Sequence, residues 1–483
     1  MKLTGLLPLI EDVLGKERLA RLLESTGERR IVAAAEGAWA CLVAVLSRHV
    51  GAPLLVVTSR PNTAWALAEE LNTWLGDEEK VLLFPRRDTL PYERLAPDWP
   101  AIRDRLLVLS ALAERPSSRL IIVTSVQAVS QTTLLPEELR SARETIVTNG
   151  TLSPEPFLRR LSRRGYRFEP LVDAPGLASR RGGIVDVFSP DADLPVRIEL
   201  LGDRVESLRL FDPATQRTVR LVDSVTLGPA REMLLPQPRA RELLSRLDFT
   251  HTEEEVERRF REELAMLAEG EGFDDDSFYL PFLARATLLD HLPQERGASL
   301  LVLDELPELG ATQEEHDRQV AEVRDDMAGR GELPRNMPLP NLSWTGLRES
   351  LAGRPDALVL SRWAGGEDDE RSLRLPCAAP KSYGGRLQEL AKDLAEASRR
   401  GETAVIGGAR RDRRAGALTG RAAARGVALA GARVAPAGMG APARRSCAHA
   451  SHRRRDLRLR EAAPARPSAF SINRALPVRP AAG

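Results

Sequence analysis

Cysteine is nearly absent from this 483-residue chain: the three present, Cys41, Cys377 and Cys447, are far apart and odd in number. That excludes a disulfide framework and a paired-cysteine zinc site, and a reducing, cytoplasmic compartment is expected. Lysine is scarce as well, five in all, so arginine is the default cation and its abundance says little by itself. No apolar run reaches the ~18 residues of a spanning helix; Ile31–Leu46 is interrupted by Glu36 and Gly37. Nothing reads as a signal peptide, since Met1–Leu14 carries Glu11 and Asp12 in a mixed amphipathic opening. No GxxxxGK[ST] motif occurs anywhere, so the usual cradle for nucleotide phosphates is missing.

What is present suits a soluble protein of two to four domains, with 42% hydrophobic and 29% charged residues. The net charge of +1 hides an asymmetry. Residues 409–483 hold 17 Arg against the acids Asp412, Asp456 and Glu461, which leaves the first 408 residues at −13. An acidic body binds nucleic acid poorly, because phosphate contact needs clustered cations. Along that body, strand-like runs (30–35, 53–58, 81–84, 120–123, 299–303) alternate with helical ones (36–51, 62–75, 102–115), the pattern of a parallel α/β sheet. Helices are also expected over Leu6–Glu24, Leu152–Gly165, Thr250–Glu269 and Glu314–Arg330. The Arg159–Arg164 cluster is read as a solvated helix face.

The chain is organised around residues 177–218. Gly182-Gly183 precedes the run Ile184–Phe188; then Val196, Ile198 and Leu200 alternate with Arg197 and Glu199, the period of a half-buried strand. Gly202-Asp203 is a hairpin loop leading into Val205–Phe211, which Asp212-Pro213 ends. A three-stranded antiparallel meander is expected, with Arg181, Arg197, Glu199 and Arg209 on its polar face.

The string RGGIVDVFSP followed by PVRIELLGDRVESLRLFDPATQRT resembles the UvrA-docking domain shared by the excinuclease helicase subunit UvrB and the transcription-repair coupling factor. Two further runs, FPRRDTLPYERLAPDWPAIRDRLLVLSAL and LIIVTSVQAVSQTTLLP, are similar to the coupling-factor family. The long tyrosine-rich hairpin that UvrB wedges between DNA strands has no counterpart here, where only Tyr92 and Trp99 precede the next helix. The resemblance implies an α/β fold: a degenerate helicase-like parallel sheet domain interrupted by a small antiparallel β-rich UvrA-docking domain, then a partial α/β domain and a disordered tail. The expected boundaries are 1–148 and 237–380 for the two parts of the first domain, 149–236 for the docking domain, 381–408 for the start of a further α/β domain, and 409–483 for the tail.

The resemblance also assigns residues. Against the helicase phosphate loop, Gly37 remains, Ala40 stands in place of the Lys, Cys41 in place of the Thr, and Trp39 replaces a glycine. The loop is therefore expected to be non-functional, and Asp304-Glu305 to be a relic of a Mg²⁺-holding acidic pair. Asp274–Asp276 lacks the spacing of a calcium loop, and Phe273–Leu283 resembles a segment that returns the chain to the first sheet. Arg181, Arg197 and Glu199 fall on positions that face UvrA, with Arg167 and Phe188 as neighbours. Arg181→Ala or Arg197→Glu is expected to weaken UvrA capture without lowering the melting temperature.

The expected function is that of an N-terminal fragment of a coupling factor in transcription-coupled nucleotide-excision repair. It would recruit UvrA as a monomer, with no catalysis, cofactor, metal or membrane, and would meet RNA polymerase and DNA only through domains absent here. Two alternatives stay open. From Ala409 on, 22 Ala and 17 Arg fill 39 of 75 positions with no sustained period. That composition suits a basic tail binding nucleic acid, or an inactive product truncated and continued in a shifted reading frame.

Overall fold

Gly15 breaks the opening of the chain. Residues Leu7–Leu14 and Lys16–Leu23 are two helices rather than the single one expected over Leu6–Glu24. Gly15 takes a φ of +77°, a conformation open to glycine and costly for a residue with a Cβ, so the apolar spacing continues while the helix axis does not. The computed structural model describes residues 3–401 with gaps at 25–28, 77–78, 88–90, 95–97, 115–119, 294, 296, 355–356, 363–371, 376, 379–382 and 384–385, and beyond them 406–407, 431–432 and 471–472. The composition-based reading of 409–483 otherwise lies outside the described residues.

Strands then alternate with helices: β1 (Arg30–Ala33), β2 (Leu54–Thr58), β3 (Lys80–Phe84) and β4 (Leu120–Ser125). Every residue of β2 and β4 is buried, as expected of strands covered by helices on both faces. The chain next leaves this sheet through β5 (Glu144–Val147), the helix Pro154–Arg163, β6 (Arg167–Phe168), β7 (Leu177–Arg181), β8 (Ile184–Val187), β9 (Val196–Leu201), β10 (Arg204–Phe211), β11 (Thr218–Val222) and β12 (Ser224–Leu227). After a helical segment it returns with β13 (Leu300–Asp304), the long helix Leu306–Gly329, β14 (Leu358–Ser361) and β15 (Ser372–Arg374).

The first sheet runs β15-β1-β14-β13-β2-β4-β3, and all its pairings are parallel. The excursion forms a sheet of six strands, β11-β10-β9-β8-β7-β6, antiparallel except between β6 and β7. The three strands read from sequence are its centre; of those missed, β6 is only two residues long and β7 carries no apolar alternation, whereas β11 does alternate but lies beyond Asp212-Pro213, where the expected meander ends. At the Gly182-Gly183 turn a Cβ on Gly183 would lie 2.7 Å from the Leu200 carbonyl oxygen, so the hairpin closes only on glycine.

Apolar residues pack on each face of the parallel sheet, and the six-stranded sheet has its own core against the helix Pro154–Arg163. Phe278 and Tyr279 do not simply lead back to the first sheet. They sit with Phe260 in a separate helical core, where the three rings meet edge to face.

A buried ionic joint ties the excursion to the body. Glu232, at the exit of the six-stranded sheet, receives Arg105 Nε at 2.9 Å, Arg87 Nη1 at 3.0 Å and the Thr133 hydroxyl at 2.7 Å. The Arg105 and Glu232 side chains are completely buried, and Arg105 also lies over the Phe84 ring. Burial acts to raise the Glu232 carboxyl, but Arg105, Arg87 and the Thr133 hydroxyl hold it below the usual carboxylate range.

Candidate functional site

The pleat of the six-stranded sheet sends alternate residues to a face turned away from its core. Strand register places Asp186 opposite Arg197, Arg197 opposite Arg209, and Ser207 opposite Glu199. The two arginines read from sequence converge on one acid. Arg197 donates Nε and Nη2 to Asp186 at 2.8 and 2.9 Å, and Arg181 adds Nη2 at 2.7 Å. Asp186 is almost wholly buried beneath them, while the Arg181 side chain remains 54% exposed. Glu199 turns the other way, accepting from Arg209 at 2.8 Å and from the Ser207 hydroxyl at 2.5 Å. Arg197 also lies over the Phe211 ring at 4.7 Å. Burial works against the Arg197 charge, but its hydrogen bonds to Asp186 dominate and raise its pKa further.

Two of the sequence candidates are placed elsewhere. Phe188 has the parity of the outward face but is 5% exposed. It packs with Val172, Leu177 and Phe211 in a small core of its own, because the segment after β6 folds over that end of the face. Arg167 sits on β6, the far edge strand, with its guanidinium 4.2 Å above the Trp99 ring of the α/β body. Sequence reading missed Asp186: an acid inside the run Ile184–Phe188 gains meaning only once register sets Arg197 against it. Of the cluster on the helix Pro154–Arg163, Arg160 and Arg164 both close on Glu144.

The crest of the parallel sheet is the other candidate, since ligands of such sheets sit beyond the carboxyl ends of the strands. Glu36–Ala38 forms one 3₁₀ turn and the chain passes straight into the helix Trp39–His49. Ala40 and Cys41 lie in the core, as does Trp39. The Cys41 thiol donates to the Ala38 carbonyl at 3.0 Å, and burial pushes it up to about 12, so it stays protonated. Gly37 begins no glycine cradle. Across the crest, Arg362 reaches Glu305 at 3.1 Å, Glu308 at 2.7 Å and Glu36 at 3.7 Å. Asp304 is buried beside them; desolvation and the carboxylates of Glu308, Glu305 and Glu36 raise it to about 7 against the pull of Arg362. An arginine of the chain itself thus partly balances the acids at this end of the sheet.

A cavity of about 410 Å³ lies where the two sheets and the helical core meet, lined by Tyr92, Trp99, Arg167, Arg231, Asp276 and Phe282 among others. Of its cations, Arg231 binds Asp276 at 2.6 Å through one nitrogen while its buried Nε and Nη2 have no hydrogen-bond partner among the described residues, Arg87 binds Glu232, and Arg167 covers Trp99. In the aspartate run, Asp275 accepts from Arg94 and Arg259. Among the described residues no group of three or more His, Cys, Asp or Glu side chains is placed to hold a metal ion, and no helix is long and apolar enough to cross a membrane.

Comparison with known proteins bears on the first of these two surfaces. Residues 145–233 match the family model described as the UvrB interaction domain. The chain is similar to the transcription-repair-coupling factor of Myxococcus xanthus, 38% identical over 41% of this chain and 17% of that protein. Similarity to the one of Mycobacterium bovis is 34% over 62% of this chain and 25% of that protein. The Bacillus subtilis protein of the same name is 26% identical over 66% of this chain and 28% of its own length. The chain therefore spans about a quarter or less of the first two relatives it matches.

Proposed function

We propose that this chain, a relative of the transcription-repair-coupling factors that carries a UvrB interaction domain, binds UvrA through the outward face of its six-stranded sheet. The reading rests on one observation: Arg181, Asp186 and Arg197 form a preset, partly exposed ionic group within the matched region. Guanidinium groups held in place by a buried acid lose little freedom on binding, and they present spare donors to carboxylates or carbonyls of a partner. The α/β body acts as a scaffold that sets the face and performs no nucleotide chemistry. The cellular process is transcription-coupled nucleotide-excision repair, in which polymerase release and DNA translocation fall to parts of the longer relatives.

Purified UvrA on a sensor surface tests this. The full chain should bind saturably, and Arg181→Ala should weaken it by roughly tenfold, as expected for an interface arginine. Undiminished binding by the variant would move the contact off this face. A fluorescent ATP analogue titrated against the same preparation should show no saturable signal, whereas binding would overturn the scaffold role.

A further inference from the structure

β11 is the outermost strand of the six-stranded sheet, paired with β10 on one side and with no described strand on the other. Four of its five residues are exposed. Val219 and Leu221 are 56% and 68% exposed, an unusual display for an edge strand, which soluble proteins blunt or cover. The strand is anchored at its end, where Thr148 donates to the carbonyls of Val222 and Asp223. Leu221 lies opposite Arg209 and so continues the same outward face as Arg197 and Asp186.

We propose that the free edge of β11 accepts an extended segment of UvrA as a seventh strand, in which apolar residues alternate with acidic ones. This rests on the reading that UvrA docks on this sheet. Strand addition draws affinity from main-chain hydrogen bonds and selectivity from alternate side chains. The side chains name the chemistry. Arg217 and Arg220 are exposed and form no ion pair with a described residue, while Val219 and Leu221 stand between and beside them. A second copy of this chain fits poorly: antiparallel pairing centred on the strand would set Arg220 against Arg220, and like charges directly opposed destabilise a ladder. Residues 409–483, with 17 Arg and three acids, would be repelled by the same arginines.

Amide hydrogen exchange of the full chain, alone and with purified UvrA, reads the edge directly. UvrA should slow exchange across residues 217–222 by roughly tenfold or more, and Leu221→Asp should weaken UvrA binding by roughly tenfold. The replaced side chain is exposed, so the melting temperature should hold; Arg220→Glu supplies a second variant with the same expected loss. If Arg181→Ala weakens binding while β11 amides exchange unchanged and Leu221→Asp binds normally, the inference fails and the docking face stands. If the wild-type chain does not bind UvrA at all, both fail. Protection of β11 that grows with the chain's own concentration, without UvrA, would assign the edge to a second copy and overturn the proposal.

Discussion

The crest of the parallel sheet and the outward face of the six-stranded sheet are built from the same two groups, guanidinium and carboxylate, in opposite proportion. At the crest one arginine, Arg362, serves Glu36, Glu305 and Glu308, and a fourth acid, Asp304, is pushed toward neutrality. On the face two arginines share the single Asp186. Surplus acid around a filled position satisfies the chain internally and offers nothing to a phosphate. Surplus guanidinium above a buried acid leaves donors directed outward. On the proposed reading, function follows the sign of the excess rather than the presence of charge: the crest is closed by its own side chain, and the face is held ready for a partner.

The largest expected effect comes from cutting the joint that keeps the two regions in register. Glu232→Gln removes the carboxylate that Arg105 and Arg87 share. Arg105, fully buried, then carries an uncompensated charge, and losing one partner of such a pair costs about 3–5 kcal/mol. Chemical denaturation should show that loss. A change below about 1 kcal/mol would mean that the joint holds nothing together.

Next in size is a contrast within the face. Arg197→Glu places a second carboxylate against buried Asp186, so it should lower the melting temperature as well as UvrA binding. The Arg197–Asp186 contacts replace the expectation, drawn from sequence, that this variant would leave stability intact. Arg181→Ala removes the more exposed of the two arginines and leaves Arg197 on Asp186, so binding should fall with little change in melting temperature. Equal melting temperatures for both variants, measured by scanning calorimetry, would show that Asp186 does not need Arg197 and would erase the contrast with the crest.

How much of this was legible in the sequence depends on how local the signal is. The buried runs of β2 and β4 and the alternation of β9 announce themselves through periodicity, and with them Arg197 and Glu199. Residues whose meaning comes from a distant partner do not. Arg105 occupies the apolar stripe of its helix with Ile102, Leu109 and Leu112, and a charge in that stripe was the available hint of a buried counter-ion. Its partner Glu232 lies 127 residues away. Arg362 follows a strand with nothing beside it in sequence to mark its three acids. Phe188 has the right parity for the outward face, but Val172 from an irregular segment covers it, and no periodicity foretells a cap.

The smallest expected effect sharpens the crest side of the comparison through pH. Asp304 titrates near 7 in the folded chain, against an ordinary carboxylate value of 3.8. Between those values the folded state holds a proton that the unfolded state has released, so stability declines as pH rises from about 4 to 7 and the penalty is complete above 7. Burial is the largest cause, joined by Glu308, Glu305 and Glu36 around it and opposed by Arg362. Asp304→Asn keeps the shape and cannot ionise. Variant and wild type should therefore melt alike only at about pH 4 and below, and above it the variant should melt higher by a margin that is wider at pH 8 than at pH 5, roughly 2–4 °C for each kcal/mol relieved in a cooperative unit of 150–250 residues. A wild-type melting temperature that stays level from pH 5 to 8, or a variant that loses ground at pH 8, would mean that Arg362 neutralises the crest fully and that the two surfaces do not differ in the sign of their excess.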